Sequence, residues 1–114
     1  RLMQVWINLL LNARDAMLER NVLEISSRRD GDIISVSVCD EGQGIEQDAL
    51  KRIFEPFFTT KAPGSGYGLG LAVCQRIIDE SGGTITVRSN PGKGTCFTVS
   101  LPVLRSGCHD SKPT

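Results

Sequence analysis

Apolar residues recur at three- and four-residue steps in two separate parts of the chain. The first part runs from Leu2 to Leu18 without glycine or proline. Its apolar residues are Met3, Trp6, Leu10, Ala13 and Met17, supplemented by Val5, Leu9 and Ala16. This spacing predicts a long amphipathic helix. The second part runs from Leu69 to Ser81 and ends at Gly82-Gly83, a common signal for the end of a helix.

Four shorter runs alternate apolar and polar residues, which is the pattern of half-buried strands. These runs are Val22 to Ser27, Ile33 to Cys39, Thr84 to Ser89 and Thr95 to Leu101. The first two flank the turn-rich link Arg28 to Asp32, and the last two flank Asn90 to Gly94. We therefore expect two hairpins, the first with one solvated face.

The segments between the hairpins complete the order of elements. Asp40 to Gly44 breaks the second strand, and Glu46 to Ile53 has the pattern of a short helix. Phe57 to Tyr67 is rich in Thr, Gly and Pro and longer than an ordinary connection, so we interpret it as a lid. The order predicts an α+β fold, a two-layer α/β sandwich with a mixed, mostly antiparallel sheet and helices on one face.

Composition narrows the classes of partner. The 114 residues suit one domain, and 13 basic residues balance 13 acidic ones, so no broad positive field attracts nucleic acid. Apolar runs are too short to span a bilayer, which predicts a soluble domain without direct membrane contact. The widely spaced cysteines at positions 39, 74, 96 and 108 form no Cys-x-x-Cys pair. We expect free thiols, and hence a cytoplasmic location.

A glycine-rich stretch precedes the second helical pattern. Between Gly64 and Gly70 four of seven residues are glycine, and the apolar run begins directly afterwards. Glycine backbone can point successive N–H groups at one anion, and a helix that follows adds its unpaired N–H groups. The stretch therefore favours a phosphate group, and a nucleotide as ligand, although a mobile surface loop has the same composition.

Three polar residues share one face of the first predicted helix. Asn8, Asn12 and Asp15 stand at positions i, i+4 and i+7. Such a row of oxygen atoms suits Mg²⁺, which binds a few protein oxygens together with water and phosphate. The alternative is a solvated stripe, but solvated helix faces favour Lys and Glu over the weaker helix former Asn.

An acidic residue stands where the second predicted strand ends. Asp40 follows the apolar pair Val38-Cys39, so its carboxylate should lie partly buried at the end of the sheet. Gly42 and Gly44 would let a flat base approach, and an adenine amino group could supply the hydrogen bond. The alternative is a capped turn, the common use of Asp-x-Gly.

These segments together resemble the motifs of two-component sensor histidine kinases. The matching segments are Asn8 to Ala16 for the N box, Asp40 to Ile45 for the first glycine box, Phe54 to Lys61 for the F box, Gly66 to Leu71 for the second glycine box and Gly92 to Thr95 for the last one. They occur in the same order as in the family. The sequence of the F box is most similar to that of kinases of nitrogen-regulation type.

The resemblance implies an ATP-binding catalytic domain of the Bergerat fold over residues 1–104, incomplete at its N-terminus, with a flexible tail at 105–114. It implies that Asn12 binds Mg²⁺ with Asn8 and Asp15 assisting, and that Asp40 accepts the adenine amino hydrogen bond. It also places near the nucleotide Gly42, Gly44, Ile45, Phe57, Lys61, Gly66, Tyr67, Gly68, Leu69, Gly70, Leu71 and Thr95. Tyr67 departs from the pattern, since the family usually has Thr or Ser there.

Position 8 favours a kinase over a hydrolase. ATP-hydrolysing relatives have Glu there as the general base, a task that the amide of Asn8 cannot perform. The implied acceptor is a histidine on a separate dimerisation domain of a homodimeric parent, which then serves a response regulator receiver domain. His109, the only histidine, lies in the polar tail and is not expected to be that acceptor. Alternatives are a nucleotide-binding module without catalysis, an ATPase of related fold, or an anti-sigma-factor serine kinase, which usually lacks an F box.

Overall fold

The computed structural model describes residues 2–16, 22–56, 58 and 70–103. Three helices and four strands occur in this part of the chain: α1 Leu2–Ala16, β1 Leu23–Asp30, β2 Ile33–Asp40, α2 Gln47–Leu50, α3 Gly70–Glu80, β3 Thr84–Ser89 and β4 Thr95–Pro102. Their order is the predicted one, and the predicted α+β class is confirmed.

The four strands form one sheet in the order β1-β2-β4-β3, and every neighbouring pair is antiparallel. The two predicted hairpins are therefore joined through β2 and β4. In this central pair Val38 lies opposite Phe97, and Asp40 lies opposite Thr95. Because side chains alternate across a strand, these four residues all lie on the same face of the sheet.

The helices α1 and α3 cover that face. The Cys74 thiol donates to the Val5 carbonyl over 3.8 Å, and one turn further along α1 the Asn8 amide donates to the Gly70 carbonyl over 3.1 Å. The two helices therefore run antiparallel. A single core fills the space between helices and sheet, made of Val5, Leu9, Val38, Ile53, Cys74, Ile77, Ile78, Ile85, Phe97 and Val99.

The first hairpin differs from its prediction at the turn. The ladder between β1 and β2 continues to the pair of Asp30 and Ile33, so only Gly31 and Asp32 form the turn. Gly31 has φ +63°, the left-handed conformation that a two-residue hairpin turn needs. The predicted link Arg28 to Asp32 was therefore too long. Asp40 likewise ends β2 rather than breaking it.

The prediction of one solvated face was wrong for β1, because all eight of its residues are exposed. This strand lies at the edge of the sheet, beyond the area that α1 and α3 cover among the described residues. The short helix was also predicted too long, since α2 ends at Leu50 and turns follow it. Ile53 in these turns is nevertheless buried in the core.

The prediction of free thiols was wrong for Cys39 and Cys96, which form a disulfide. The two residues are directly opposite in β2 and β4, with their Cα atoms 4.0 Å apart. Their 57-residue separation in sequence hides this contact, which only the register creates. The argument for a reducing compartment from cysteine usage loses its support.

Cys74 is a free and buried thiol, as predicted. Its burial between α1 and α3 raises the pKa of the thiol, an effect that a hydrogen bond with Asn8 partly offsets. Cys108 lies outside the described residues. None of the helices in the described ranges is long and apolar enough to cross a membrane.

Two neighbouring leucines of α1 test the assignment of its buried face. Leu9 is 1% exposed and Leu11 is 42% exposed. Replacing Leu9 with Ala should lower the free energy of unfolding by about 2–5 kcal/mol, because the core cannot collapse fully around the cavity. Leu11→Ala, which makes the same change in the same helix, should cost less than about 1 kcal/mol. Equal losses in urea titrations of the two variants would contradict the packing of α1.

Candidate functional site

A buried carboxylate lies where β2 ends. Asp40 is only 7% exposed, and its carboxylate accepts hydrogen bonds from the backbone N–H groups of Gly42, over 2.8 Å, and Thr95. Burial raises the pKa of Asp40, and these two hydrogen bonds offset part of that rise. The carboxylate is thus poorly solvated, and a further donor would stabilise its charged form. We call this region, residues 40–45 and 89–95, the acid corner.

Two glycines allow the two segments of the acid corner to pack backbone against backbone. Gly44 and Gly94 have φ +77° and +87°. A Cβ atom on Gly44 would collide with the Asn90 carbonyl, and one on Gly94 would collide with the Asp40 carbonyl. The Gly92 N–H also donates to the Gln43 carbonyl over 2.7 Å. Gly44 therefore has a packing role here, and its predicted role in admitting a base stays a prediction.

Ser89, which the sequence reasoning missed, links both segments of the acid corner. Its hydroxyl contacts the Ile45 backbone N–H, the Gly94 carbonyl and the Thr95 hydroxyl, each over 2.8 Å. In the sequence Ser89 is one more small polar residue at the end of an alternating strand. Its position directly before the Asn-Pro-Gly turn was the only available signal.

A second group of predicted site residues lies at the start of α3. The Asn8 side chain donates from Nδ2 to the Gly70 carbonyl over 3.1 Å and accepts at Oδ1 from Gln4 Nε2 over 3.0 Å. A carbonyl can only accept, so the amide nitrogen must face Gly70. Both ends of the Asn8 amide are therefore engaged in holding α1 against the first residue of α3.

Asn12 lies one turn further along α1, about 6 Å past Asn8. Because the helices are antiparallel, Asn12 lies beyond Gly70, on the side of the positive dipole end of α3. Its side chain is half-buried, and no residue of the described ranges hydrogen-bonds to it. The oxygen of Asn12 is thus free to bind a cation or a water molecule.

The side-chain oxygen of Asn12 is a suitable ligand for Mg²⁺, but the described residues around it offer few other ligands. An amide oxygen is the hard ligand that Mg²⁺ accepts. No cluster of three or more His, Cys, Asp or Glu residues that could hold a metal occurs within the described part of the chain. A magnesium ion held by Asn12 would therefore need ligands from phosphate and water as well.

The remaining predicted residues fall into two groups. Ile45 and Leu71 both pack against the core, and Gly70 begins α3 with the Asn8 carboxamide 3.9 Å from where its Cβ would stand. The side chain of Asp15 and the residues Phe57, Lys61, Gly66, Tyr67, Gly68 and Leu69 lie outside the described residues. For this second group the site assignments stay predictions.

Two phenylalanines of the predicted F box anchor the chain just before the stretch 59–69. The ring of Phe54 meets Phe97 of the core edge-on, with centroids 6.5 Å apart. Phe58 packs against the core, and the Arg52 guanidinium lies 4.7 Å from the centroid of its ring. Phe58 was predicted to lie in the lid Phe57 to Tyr67, but it packs against the core, so the predicted lid began too early.

Solved structures of known proteins share this architecture. The catalytic domain of the histidine kinase ThkA superposes with a TM-score of 0.75 at 40% identity, over 87% of this chain and 64% of that one. Full-length ShkA in complex with AMPPNP superposes with a TM-score of 0.81 at 32% identity, over 94% of this chain and 22% of that one.

Curated relatives agree with the structural neighbours. The chain is 48% identical over 103 residues to the sensor histidine kinase ZraS of Escherichia coli (strain K12) and 46% identical over 107 residues to sporulation kinase E of Bacillus subtilis (strain 168). These matches cover 90% and 93% of this chain but 22% and 14% of those proteins. The chain therefore spans about a fifth of the length of ZraS and about a seventh of the length of sporulation kinase E.

The chain also matches a family profile over residues 1–105. That family is described as histidine kinase-, DNA gyrase B-, and HSP90-like ATPase. The predicted family is thus confirmed, whereas the closeness to kinases of nitrogen-regulation type stays a prediction. By profile, by its sensor kinase relatives and by its fold, this chain belongs to the histidine kinase-, DNA gyrase B- and HSP90-like ATPase family, as an ATP-binding domain of the histidine kinase type.

Proposed function

We propose that this domain binds Mg²⁺·ATP and donates the γ-phosphate to a histidine on a separate dimerisation domain. The observation that carries the proposal is the buried Asp40 carboxylate, which faces backbone donors on its own chain and retains capacity for one more. The structural neighbour solved with AMPPNP, a nucleotide analogue, supports a nucleotide in the same fold.

In this proposal the acid corner binds the base. Asp40 accepts a hydrogen bond from the adenine amino group, and a charged acceptor makes that bond stronger than a neutral one would. Gly42 and Ile45 line the approach, with Thr95 beside Asp40 in the neighbouring strand. The raised pKa of Asp40 reflects a desolvated carboxylate, the kind of group that marks functional sites.

The start of α3 receives the phosphates. Its unpaired N–H groups and dipole favour an anion, and Gly66, Gly68 and Gly70 supply backbone without side chains around it. Asn12 holds Mg²⁺, with Asp15 assisting, and Lys61 contributes charge from the lid. When bound, the metal neutralises charge that develops on the phosphates.

The side chain of Asn8 argues against ATP hydrolysis by this domain. Its amide is committed to Gly70 and Gln4, and it has no basic form that could take a proton from water. What the residues of this domain do is position and neutralise the γ-phosphate, which is most of what phosphoryl transfer requires. The attacking nucleophile then comes from another domain.

The wider setting belongs to the same proposal. The parent protein is a homodimer whose dimerisation domain carries the acceptor histidine, and a response regulator receiver domain takes the phosphate onward. A cytoplasmic location follows from the need for ATP and no longer from the cysteines. These partners lie outside this chain, which corresponds to only 22% of the length of ZraS.

Changing Asp40 to Asn tests base recognition. A hydrogen bond to a charged group contributes about 1.5–3 kcal/mol, so calorimetric ATP affinity should fall roughly ten- to a hundredfold at neutral pH. Asp48→Asn makes the same chemical change at an exposed residue of α2 and should leave the affinity unchanged. Equal affinities of wild type and Asp40→Asn would remove Asp40 from the site.

The raised pKa of Asp40 gives this difference a pH dependence. As pH falls through the raised pKa, Asp40 gains a proton and loses its charge, so wild type should approach Asp40→Asn in affinity. The ratio of the two dissociation constants cancels the titration of ATP itself. It should begin to shrink at a pH above the ordinary carboxyl value of 3.8. A ratio that stays constant down to that value would contradict a raised pKa.

Transfer in trans distinguishes a kinase from a plain binder. Incubated alone with labelled ATP, the chain should acquire no label, whereas adding a histidine-containing dimerisation domain should label that domain. Asn12→Ala should abolish the transfer and remove the gain in ATP affinity that Mg²⁺ produces. Label on the isolated chain, or tight ATP binding without any transfer, would contradict the proposed reaction.

A further inference from the structure

We infer that Ser89 is a positioning residue that determines which hydrogen-bonding groups of the acid corner a base meets. It has no place among the predicted site residues, and its hydroxyl is buried, with the residue only 6% exposed. This inference rests on the proposed function, because it concerns how the same corner selects its base.

The hydrogen bonds of Ser89 use every capacity of its hydroxyl. A hydroxyl has one proton to donate and two lone pairs that accept. The Ile45 N–H can only donate, so it occupies one lone pair, at 2.8 Å. The Gly94 carbonyl can only accept, so it takes the proton, also at 2.8 Å.

This count decides the direction of the third hydrogen bond. Ser89 and Thr95 hydroxyl oxygens lie 2.8 Å apart, and distance alone allows either to donate. Since the proton of Ser89 already goes to Gly94, the Thr95 hydroxyl must donate to Ser89. The proton of Thr95 is therefore turned towards Ser89, and only oxygen lone pairs are left for any other partner.

Thr95 is the residue directly opposite Asp40 in the β2–β4 pair, and its own backbone N–H is used by the Asp40 carboxylate. A base that reaches Asp40 and Thr95 thus meets a charged acceptor and a hydroxyl that can only accept. Such a pair attracts an amino group and repels a carbonyl oxygen. Ser89 in this way favours a base with an exocyclic amino group at that edge.

Ser89 also fixes the shape of the corner. Through Ile45 it holds the first glycine box, and through Gly94 it holds the turn before β4. The Gln47 side chain adds a longer contact to the Ser89 backbone carbonyl, at 3.4 Å. Both segments that flank Asp40 are therefore attached to one serine.

The test compares ATP with inosine triphosphate, whose base carries a carbonyl where adenine has its amino group. Ser89→Ala frees the proton of Thr95 to turn towards a carbonyl. The preference for ATP over inosine triphosphate should narrow by about three- to tenfold, the value of one hydrogen bond. Adding Thr95→Val to Ser89→Ala removes that proton together with the Thr95 acceptor, so the preference should recover in part, through the Asp40 carboxylate.

Matched variants separate this role from simple support of the fold. Ser37 forms a similar hydroxyl pair with Thr98, at 3.0 Å, elsewhere in the β2–β4 pair, so Ser37→Ala should leave the preference unchanged. Ser89→Thr keeps the hydroxyl and should keep most of the preference for ATP over inosine triphosphate. If Ser89→Ala lowers the affinity for ATP and for inosine triphosphate by the same factor, Ser89 only supports the fold and the inference is wrong.

Proton positions in the wild-type chain give a test without mutation. In nuclear magnetic resonance spectra the Thr95 hydroxyl proton should exchange slowly with water and lie close to Ser89, and the Ser89 hydroxyl proton should lie close to Gly94. A Ser89 proton directed at Thr95 would overturn the inference even if Ser89→Ala fails to fold. The proposed function fails separately, when Asp40→Asn leaves ATP binding intact.

Discussion

The pairing of β2 with β4 is the constraint on which the acid corner depends. This pairing joins two hairpins that are far apart in sequence and places Asp40 opposite Thr95. Once these residues are paired, the carboxylate receives the Thr95 N–H, and Gly94 must pass close to the Asp40 carbonyl. A shift of the register by one residue would turn Asp40 to the face that carries the disulfide and would remove it from the helix-covered side of the sheet.

The same register determines which side chains of β2 and β4 lie on each face of the sheet. On the helix side, the ladder from Val38 and Phe97 leads directly to Asp40 and Thr95, so the carboxylate stands at the end of the core. On the other face, Cys39 bonds to Cys96, and Ser37 and Ser35 meet the hydroxyls of Thr98 and Ser100. Burial of Asp40, which raises its pKa, is therefore a consequence of where the core ends.

The two ends of the proposed nucleotide site are built by different forces. At the acid corner, backbone packs on backbone, and two glycines with positive φ permit the close approach. At the start of α3, helix packing sets the position, because Asn8 holds Gly70 while the leucine and valine face of α1 fills the core. Asn12 then lies beyond Gly70, where the positive end of the helix dipole would favour the phosphate that we propose to bind there. In the proposed site, the acid corner would bind the base and the start of α3 would bind the phosphates.

Local patterns were enough to predict the order of the elements and the family. They placed the buried face of α1 only in part, because Met3 and Leu10 are exposed whereas Val5 and Leu9 are fully buried. These signals depend on residues close together in sequence: helical spacing, strand alternation, and glycines beside polar groups. The disulfide, the hydrogen bonds of Ser89 and the exposure of β1 depend on contacts across the sheet or on which strand lies at its edge. Cys39 and Cys96 looked like isolated thiols because their 57-residue separation becomes contact only in the folded ladder. The sequence by itself determined which groups this protein carries, and the tertiary structure decided which of them meet, because hydrogen bonds and burial act over distances that the linear chain does not show.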